Sequence, residues 1–407
     1  MKPTWACLSL CVACATPRAP VAPAPNAAVP AEVSASRPPA AAKSPAPLST
    51  VTTPPPGSSP LPLGTGPAPK PVAQPALPAE PSAEVAVTDG LARGTGDPAD
   101  EQLSLGDAAY SAEKYKEARA RYRRAEQLSP KDPAPKVGLV RVSVAEADLP
   151  LDYASAPREP RIPVLLKQLE AALKLDSNYG PALLERGHLL LIQGRANDAS
   201  GSLTRAAELL PRHPEAQSAV GVALVALGQT RESLPYFERA AALDRDNPDR
   251  LGNLGAAYLL LGRTPDAVKA FERAAQLAPQ VARYQSDVGT AYLAENRLDR
   301  ALPALERAVD LEPQRASYVA NLSYALQLSG SLDKAVAAAE RATQLDPKLG
   351  SAWLNLGTAL AKRGRDGELD KADAAFRRAL SLDPEDPRAK ANLEELAELR
   401  RKKSSAP

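Results

Sequence analysis

The sequence predicts an all-α fold, an array of helix-turn-helix units that follows a long disordered linker. Three observations predict it: a fixed repeat period, small residues at constant places in each repeat, and a sharp change in composition near residue 98. The ends of successive repeats lie 34 residues apart, at Pro211, Arg245, Pro279, Pro313 and Pro347. A period of this length is typical of stacked helical repeats, which bury a continuous core between neighbouring units.

The first segment, residues 1–14, resembles a bacterial lipoprotein signal, with a basic residue, a short apolar run and a small residue directly before Cys14. The pattern is incomplete, because Cys11 stands where such signals usually carry leucine. The resemblance implies a lipid on Cys14 that anchors the chain on the periplasmic side of a bacterial outer membrane. The alternative is a cytoplasmic protein whose N-terminal thiols are incidental. The rest of the chain has no cysteine, so no disulfide framework stabilises it.

The second segment, residues 15–98, is predicted to be a disordered, partly polyproline II linker. About half of the 42 prolines lie at or before Pro98, among alanine, serine and threonine. Such a composition buries too little apolar surface to offset the entropy lost on ordering. At roughly 3.1 Å per residue, the linker could extend on the order of 250 Å, which suits a domain held away from a membrane.

The third segment carries small residues at three constant places of each repeat. The eighth place of the regular units is occupied by Gly106, Gly187, Gly221, Gly255, Gly289, Ser323 and Gly357. The twentieth and twenty-seventh places hold alanine in almost every unit, and the twenty-fourth holds a large apolar residue except at Ala339. Small residues let two helices approach closely, and the large residue fills the remaining space. This pattern resembles the tetratricopeptide repeat family, which implies a right-handed α-solenoid of about eight units over 99–386.

The second unit departs from the regular pattern. Its helices are predicted over 134–147 and 164–177, as two apolar stretches of helical period. Between them lies an insertion, 148–162, whose prolines disfavour helix. The insertion is either a second contact site or a tolerated surface loop.

The end of the chain predicts one further helix. Residues 387–403 are amphipathic, with Leu393, Leu396 and Leu399 expected to face inward and charged residues outward. Such a helix would cap the open end of the repeat core with a polar outer surface. Residues 404–407 are predicted to be a disordered tail.

The composition and motifs do not indicate an enzyme, a cofactor or a metal site. The array has two histidines, His188 and His213, and neither has a partner histidine at ligand spacing. Glycine-rich stretches such as 251–259 lack the preceding strand and the Lys-Ser/Thr of a phosphate-binding loop. The balance of 50 basic and 48 acidic residues, a formal charge of +2, gives no reason to expect nucleic acid as a partner.

The resemblance implies a partner-binding groove on the concave face, lined by the first helix of each unit. Position 6 of four successive units carries Asn253, Asp287, Asn321 and Asn355. This row is similar to the asparagine ladder of O-linked N-acetylglucosamine transferases, which holds the backbone of an extended peptide. One amide offers both a donor and an acceptor, as a peptide unit requires. The alternative is that position 6 caps a helix or bonds between adjacent units.

Position 9 completes the predicted peptide site with Thr290, Tyr324 and Thr358. These neutral side chains favour an extended, uncharged or mildly polar segment over an acidic tail. The sequence therefore predicts a non-enzymatic adaptor that binds a protein segment and is anchored in a bacterial envelope. Two alternatives stay open, namely an envelope assembly factor resembling pilotins or barrel-assembly lipoproteins, and a cytoplasmic scaffold.

Overall fold

The computed structural model describes residues 90–149, 153 and 156–404, and this part of the chain forms 17 α-helices. The prediction of an all-α fold is confirmed. The predicted signal segment with Cys14, and the predicted linker up to residue 89, lie outside the described residues. The helices are α1 (Pro98–Ser111), α2 (Tyr115–Leu128), α3 (Ala134–Glu146), α4 (Ile162–Leu175), α5 (Gly180–Ile192), α6 (Ala196–Leu209), α7 (Pro214–Ala226), α8 (Thr230–Leu243), α9 (Pro248–Leu260), α10 (Thr264–Leu277), α11 (Ala282–Ala294), α12 (Leu298–Leu311), α13 (Ala316–Leu328), α14 (Leu332–Leu345), α15 (Gly350–Arg363), α16 (Glu368–Leu382) and α17 (Pro387–Ser404).

The helices pack in pairs, from α1 with α2 to α15 with α16, which makes eight units. Each odd-numbered helix also contacts the odd-numbered helices of the neighbouring units, from α1 with α3 to α15 with α17. The even-numbered helices of neighbouring units make no comparable contact within the described residues. The array therefore curves with the odd-numbered helices on its inner side, where neighbouring first helices come closest. We call this surface the inner face.

The eighth place of each unit is a point of close helix approach. A Cβ atom added to Gly255 would lie 2.8 Å from the ring of Phe271, and one added to Gly221 would lie 2.6 Å from Phe237. The packing role predicted for these glycines is confirmed. In the seventh unit, a serine replaces glycine and Ala339 replaces the large residue. The Ser323 hydroxyl then donates to the carbonyl of Ala335 at 2.8 Å.

The second unit has the predicted pair of helices, with α4 beginning two residues before the expected start. Pro163 lies in the first turn of α4, where a missing N–H costs no helical hydrogen bond. The described ends of the insertion contact the array. Leu149 is buried, and the backbone N–H of Ala156 donates to the carbonyl of Ile192 at 3.1 Å.

Both ends of the array differ from the prediction. Residues 90–97, which the composition assigned to the linker, are held against the first unit by contacts described below. At the other end, Leu396 of α17 is buried, Leu393 is half-buried, but Leu399 is 39% exposed. The prediction that Leu399 faces inward is wrong, because among the described helices α17 packs on α15 and α16 with its other side uncovered. Ser404, assigned to the tail, ends α17.

No helix among the described residues combines the length and the apolar character that crossing a bilayer would require.

Candidate functional site: the inner face of the array

The position 6 asparagines lie on the inner face and bond to the unit before them. Asn253, Asn321 and Asn355 are 2%, 7% and 8% exposed, respectively. Each amide nitrogen donates to a residue 35 positions upstream, on the preceding first helix. The acceptors are Ser218 Oγ at 3.1 Å, Ser286 Oγ at 3.2 Å and the Ala320 carbonyl at 2.8 Å. This is the contact that the inter-unit alternative predicts, and a role in peptide binding stays a prediction.

Asp287 interrupts this row with a different environment. Asp287 is half-buried, and its carboxylate makes no hydrogen bond or ion pair with any residue the structure describes. Burial raises the pKa of Asp287 to about 6, and the nearby charge of Arg283 lowers it only in part. Asp287 therefore offers open acceptor atoms on the inner face of the sixth unit.

The three predicted position 9 residues divide into two kinds. The hydroxyls of Thr290 and Thr358 each donate at 2.9 Å to a carbonyl one turn earlier in the same helix. Thr358 also accepts from Asn392 of α17 at 3.4 Å, so the C-terminal helix reaches this end of the groove. Tyr324 is half-buried, and its hydroxyl makes no hydrogen bond within the described part of the chain. Asp287 and Tyr324, one unit apart, are thus the predicted residues that keep polar atoms for a ligand.

The inner face of the second to fifth units instead carries a chain of buried ions, which we call the ion chain. Arg141 Nε lies 2.6 Å from Glu185 Oε1. His188 Nε2 lies 3.0 Å from Glu215 Oε1, and Arg250 Nη2 lies 2.5 Å from Glu215 Oε2. All five residues are less than a tenth exposed. Four consecutive first helices, α3, α5, α7 and α9, are therefore joined by charged groups.

The members of the ion chain are charged at neutral pH. Burial lowers the pKa of His188, but hydrogen bonds with Glu185 and Glu215 outweigh it and raise the pKa to about 9. Burial raises the pKa of Glu185 and Glu215, but the charges of Arg141 and Arg250 overcome this and hold both pKa values below the usual range. His188 is therefore an imidazolium between two carboxylates, with Nε2 3.0 Å from Glu215 Oε1 and Nδ1 3.9 Å from Glu185 Oε2.

Sequence reasoning missed the ion chain because it searched for metal ligands around His188. Glu185 is one helical turn before His188, a spacing visible in the sequence. Glu215 is 27 residues away, at the start of the next unit, and only the stacking of α5 on α7 brings it near. Among the described residues, no group of three or more potential metal ligands has a suitable arrangement.

A second polar cluster follows on the next helix pair. The hydroxyl of Tyr284 donates to Asp249 Oδ1 at 2.5 Å, and Arg283 forms an ion pair with the same carboxylate. Asp249 belongs to α9 and its two partners to α11. Charged contacts between first helices thus continue to the sixth unit, where Asp287 stands on the same helix as Arg283.

The first unit holds a non-helical segment of its own chain. Asp107 Oδ2 accepts from the backbone N–H groups of Leu91 at 2.6 Å and Ala92 at 3.0 Å. Asp100 accepts from the backbone N–H groups of Arg93 at 2.6 Å and Thr95 at 2.8 Å. Two carboxylates on α1 therefore bind four backbone amides. We call residues 91–96 the N-terminal latch.

Side chains of the latch also contact the array. Leu91 is 2% exposed and packs in the core of the first units. The guanidinium of Arg93 donates two hydrogen bonds of 2.8 Å to Asp132, in the turn before α3. It also lies over the ring of Tyr179, the residue before α5, with 5.6 Å between the guanidinium carbon and the ring centroid. One short segment therefore spans the start of three units.

Comparison with known proteins supports a helical repeat fold. Two family models described as Tetratricopeptide repeat match the sequence. One matches residues 224–286, and the other matches 82–133, 184–248, 287–350 and 329–387, which together cover more than half of the chain. No curated protein matches the sequence significantly.

One solved structure shares the fold at low sequence identity, and others are similar with TM-scores below 0.5. The crystal structure of the APC/C hetero-tetramer Cut9–Hcn1 is similar with a TM-score of 0.55 and 14% identity, covering 75% of this chain and 57% of that chain. YrrB, described as a TPR protein with an unusual peptide-binding site, has a TM-score of 0.37 and 20% identity, covering 48% of this chain and 99% of that chain. PilF of Pseudomonas aeruginosa has a TM-score of 0.45 and 19% identity, covering 53% and 97% of the two chains.

The repeat pattern, the paired helices and the family matches agree. The chain belongs to the tetratricopeptide repeat family.

Proposed function

We propose that this tetratricopeptide repeat protein is a non-enzymatic adaptor. It binds an extended segment of a partner protein along the inner face of the fifth to eighth units. A lipid on Cys14 tethers it to a bacterial envelope membrane. The family supports a protein-binding scaffold, and the choice of groove and anchor is our proposal.

One observation carries the choice of groove. In the first unit, carboxylates of a first helix accept backbone N–H groups from a non-helical segment. Asp287 presents the same chemical group on the inner face of the sixth unit, with its acceptor atoms open. Backbone N–H groups occur in every peptide, so such a contact gives affinity without reading the sequence. Tyr324 of the next unit supplies an aromatic surface with a free hydroxyl, as partner-binding sites commonly do.

The neighbouring asparagines support the groove in a second way. The Asn321 amide ties α13 to α11, which holds Tyr324 and Asp287 at a constant separation. A pre-organised site loses less conformational entropy when a ligand binds.

Site-specific crosslinking in cells tests the groove. A photocrosslinking amino acid at position 324 should capture a partner segment, whereas the same group at position 306, exposed on the outer helix α12, should not. We expect Asp287→Ala to reduce the yield at position 324, and Asp299→Ala on the outer side to leave it unchanged. Equal capture at both positions, or a yield insensitive to Asp287→Ala, would refute this groove.

Metabolic labelling with a palmitate analogue tests the anchor separately. The wild-type protein should incorporate the label and fractionate with membranes, and Cys14→Ala should do neither. Cys11→Ala is the matched control, because it changes a neighbouring thiol without removing the proposed site. Equal labelling of wild type and Cys14→Ala would exclude lipidation there, whatever the outcome of the crosslinking.

A further inference from the structure

We infer that the surface of α1 that holds the N-terminal latch is a peptide-binding site of its own. It recognises a segment of the pattern apolar–X–Arg–Gly–X–Gly, which residues 91–96 occupy within the same chain. A partner segment of this chemistry competes with the latch for the site. This inference concerns the first three units and does not depend on the groove proposed for the fifth to eighth.

The backbone contacts define the shape of the ligand. Asp107 captures two successive N–H groups, and Asp100 captures two that are separated by Gly94. Gly94 has a φ of +71° and Gly96 a φ of +74°, a region that side-chain-bearing residues rarely adopt. A Cβ at either glycine would meet no atom within 4 Å. The preference for glycine therefore comes from backbone conformation, which lets the chain turn around the Asp100 carboxylate.

Two side chains define the sequence of the ligand. Leu91 is buried in the core cluster that includes Leu103 and Tyr122, so the first position requires an apolar residue. Arg93 meets Asp132 with two parallel hydrogen bonds, a geometry that lysine cannot reproduce. The same guanidinium lies over the ring of Tyr179. Ala92, between Leu91 and Arg93, contributes its backbone N–H.

The charges of the site explain why it needs a ligand. Asp100, Asp107 and Asp132 face the latch, whose single positive charge is Arg93. Backbone N–H donors from Arg93 and Thr95 keep the pKa of Asp100 below its usual range. Asp107 is further inside, where burial raises its pKa despite the bonds from Leu91, Ala92 and Tyr122. Without the latch, these carboxylates would lose its donors, so a donor-rich basic segment is the complementary occupant.

The covalent link to α1 sets the conditions for exchange. The latch is joined directly to the helix that binds it, and a short connection gives an effective concentration in about the millimolar range. A free segment of equal intrinsic affinity would bind poorly to the wild-type protein. It would bind readily once the latch had lost the two side chains that dock.

The test uses the full-length chain with a released latch. In the double variant Leu91→Ala, Arg93→Ala the latch should lose its contacts while α1 keeps Asp100 and Asp107. We would measure the fluorescence anisotropy of a labelled peptide, TDGLARGTGDP, which copies residues 88–98. The peptide should bind this variant at least tenfold more tightly than the wild type. Adding Asp100→Asn and Asp107→Asn should abolish the gain, as should replacing the peptide's arginine with glutamate.

The opposite results would overturn the inference. If the peptide binds the wild type and the released variant equally, or if binding ignores both aspartate substitutions, the latch is only a structural part of the first unit. The single variant Arg93→Ala guards against unfolding, because it leaves Leu91 in the core. This variant should keep its circular dichroism and exchange its amide hydrogens faster at residues 90–97. Its affinity for the peptide should rise above that of the wild type, by less than in the double variant. If the peptide binds that folded variant no more tightly than the wild type, competition between the peptide and the latch is also refuted.

Discussion

The second to fifth units and the fifth to eighth units join their first helices with different chemistry. In the first group, Glu185 at position 6 is a buried carboxylate between Arg141 and His188. In the second group, Asn321 and Asn355 at the same position form neutral hydrogen bonds with the preceding unit. Both arrangements connect neighbouring first helices, and Glu185 shares position 6 with the asparagines. They meet at α7 and α9, which are joined both by the Arg250–Glu215 ion pair and by the hydrogen bond from Asn253 to Ser218.

The difference lies in what each arrangement loses when one partner is removed. A buried charge without its counter-ion retains a large desolvation penalty, so breaking such a pair costs about 3–5 kcal/mol. A neutral hydrogen bond contributes about 0.5–1.5 kcal/mol net. The ion chain therefore makes its units interdependent and sensitive to pH. The asparagine row connects units with little sensitivity to pH, and Asp287 interrupts it with a group left open.

The largest expected effect is that of Glu215→Ala. It removes the counter-ion of both His188 and Arg250, and we expect a loss of about 3–5 kcal/mol in the free energy of unfolding. Urea denaturation with hydrogen exchange should locate the loss in α5 to α9. Glu232→Ala, an exposed glutamate of α8, should change stability by less than about 0.5 kcal/mol. If the two substitutions changed stability by similar amounts, the buried ion pairs would not make their units more interdependent than a surface charge does.

High pH should separate the two regions without any mutation. The folded pKa of His188 is about 9 against an ordinary 6.5, so its stabilisation is complete below about 6.5 and is lost as pH rises through 9. The shift corresponds to about 3 kcal/mol at most. Between pH 7 and pH 10, hydrogen-exchange protection should fall in α5 to α9 more than in α13 to α16. His188→Gln should abolish this difference, because Glu185, Glu215 and both arginines would then face a neutral group.

The asparagine row should give a smaller and pH-independent effect. Asn321→Ala removes the hydrogen bond to Ser286 of the preceding unit, and we expect a loss of about 1 kcal/mol in the free energy of unfolding. Gln276→Ala provides the amide control, because Gln276 is exposed on the outer helix α10, and it should leave stability nearly unchanged. A loss for Asn321→Ala as large as that for Glu215→Ala would show that the neutral row is no more tolerant than the ion chain.

Asp287→Asn should have an effect whose sign is opposite to the others. Because the folded pKa is raised to about 6, the ionised carboxylate reduces stability as pH rises from about 4 to 6, and the penalty persists above that range. The asparagine variant should be more stable than wild type at pH 7, by about 3 kcal/mol at most, and no more stable at pH 4. Equal stability at both pH values would show that this carboxylate carries no penalty. A group retained despite its destabilising effect fits a binding role.

Much of the fold could be predicted because it depends on local, repeated constraints. The 34-residue period and the glycines at position 8 predicted paired helices, and Gly221 and Gly255 pack against Phe237 and Phe271 as expected. Leu399 was placed wrongly because helical periodicity shows which residues share a face. It does not show how far the neighbouring unit extends to cover that face.

The site was predictable only in part. Recurrence in the sequence identified Asn253, Asn321 and Asn355, but not the bonds to residues 35 positions upstream. The ion chain was missed because its members belong to four helices and no short motif contains them. The latch was assigned to the linker because composition describes a segment by itself, and two aspartates of the next helix overcome that local preference.

The sequence by itself determined the helical repeat, its period, and the small residues at which helices nearly touch. These follow from backbone propensity and steric fit within one unit, and each unit repeats them. Only the tertiary structure decided which polar side chains join units and which stay open, as Asp287 does. Whether a side chain bonds to another unit depends on the stacking of one unit on the next. Burial and the charge of a partner, rather than residue type, set the ionisation of each group.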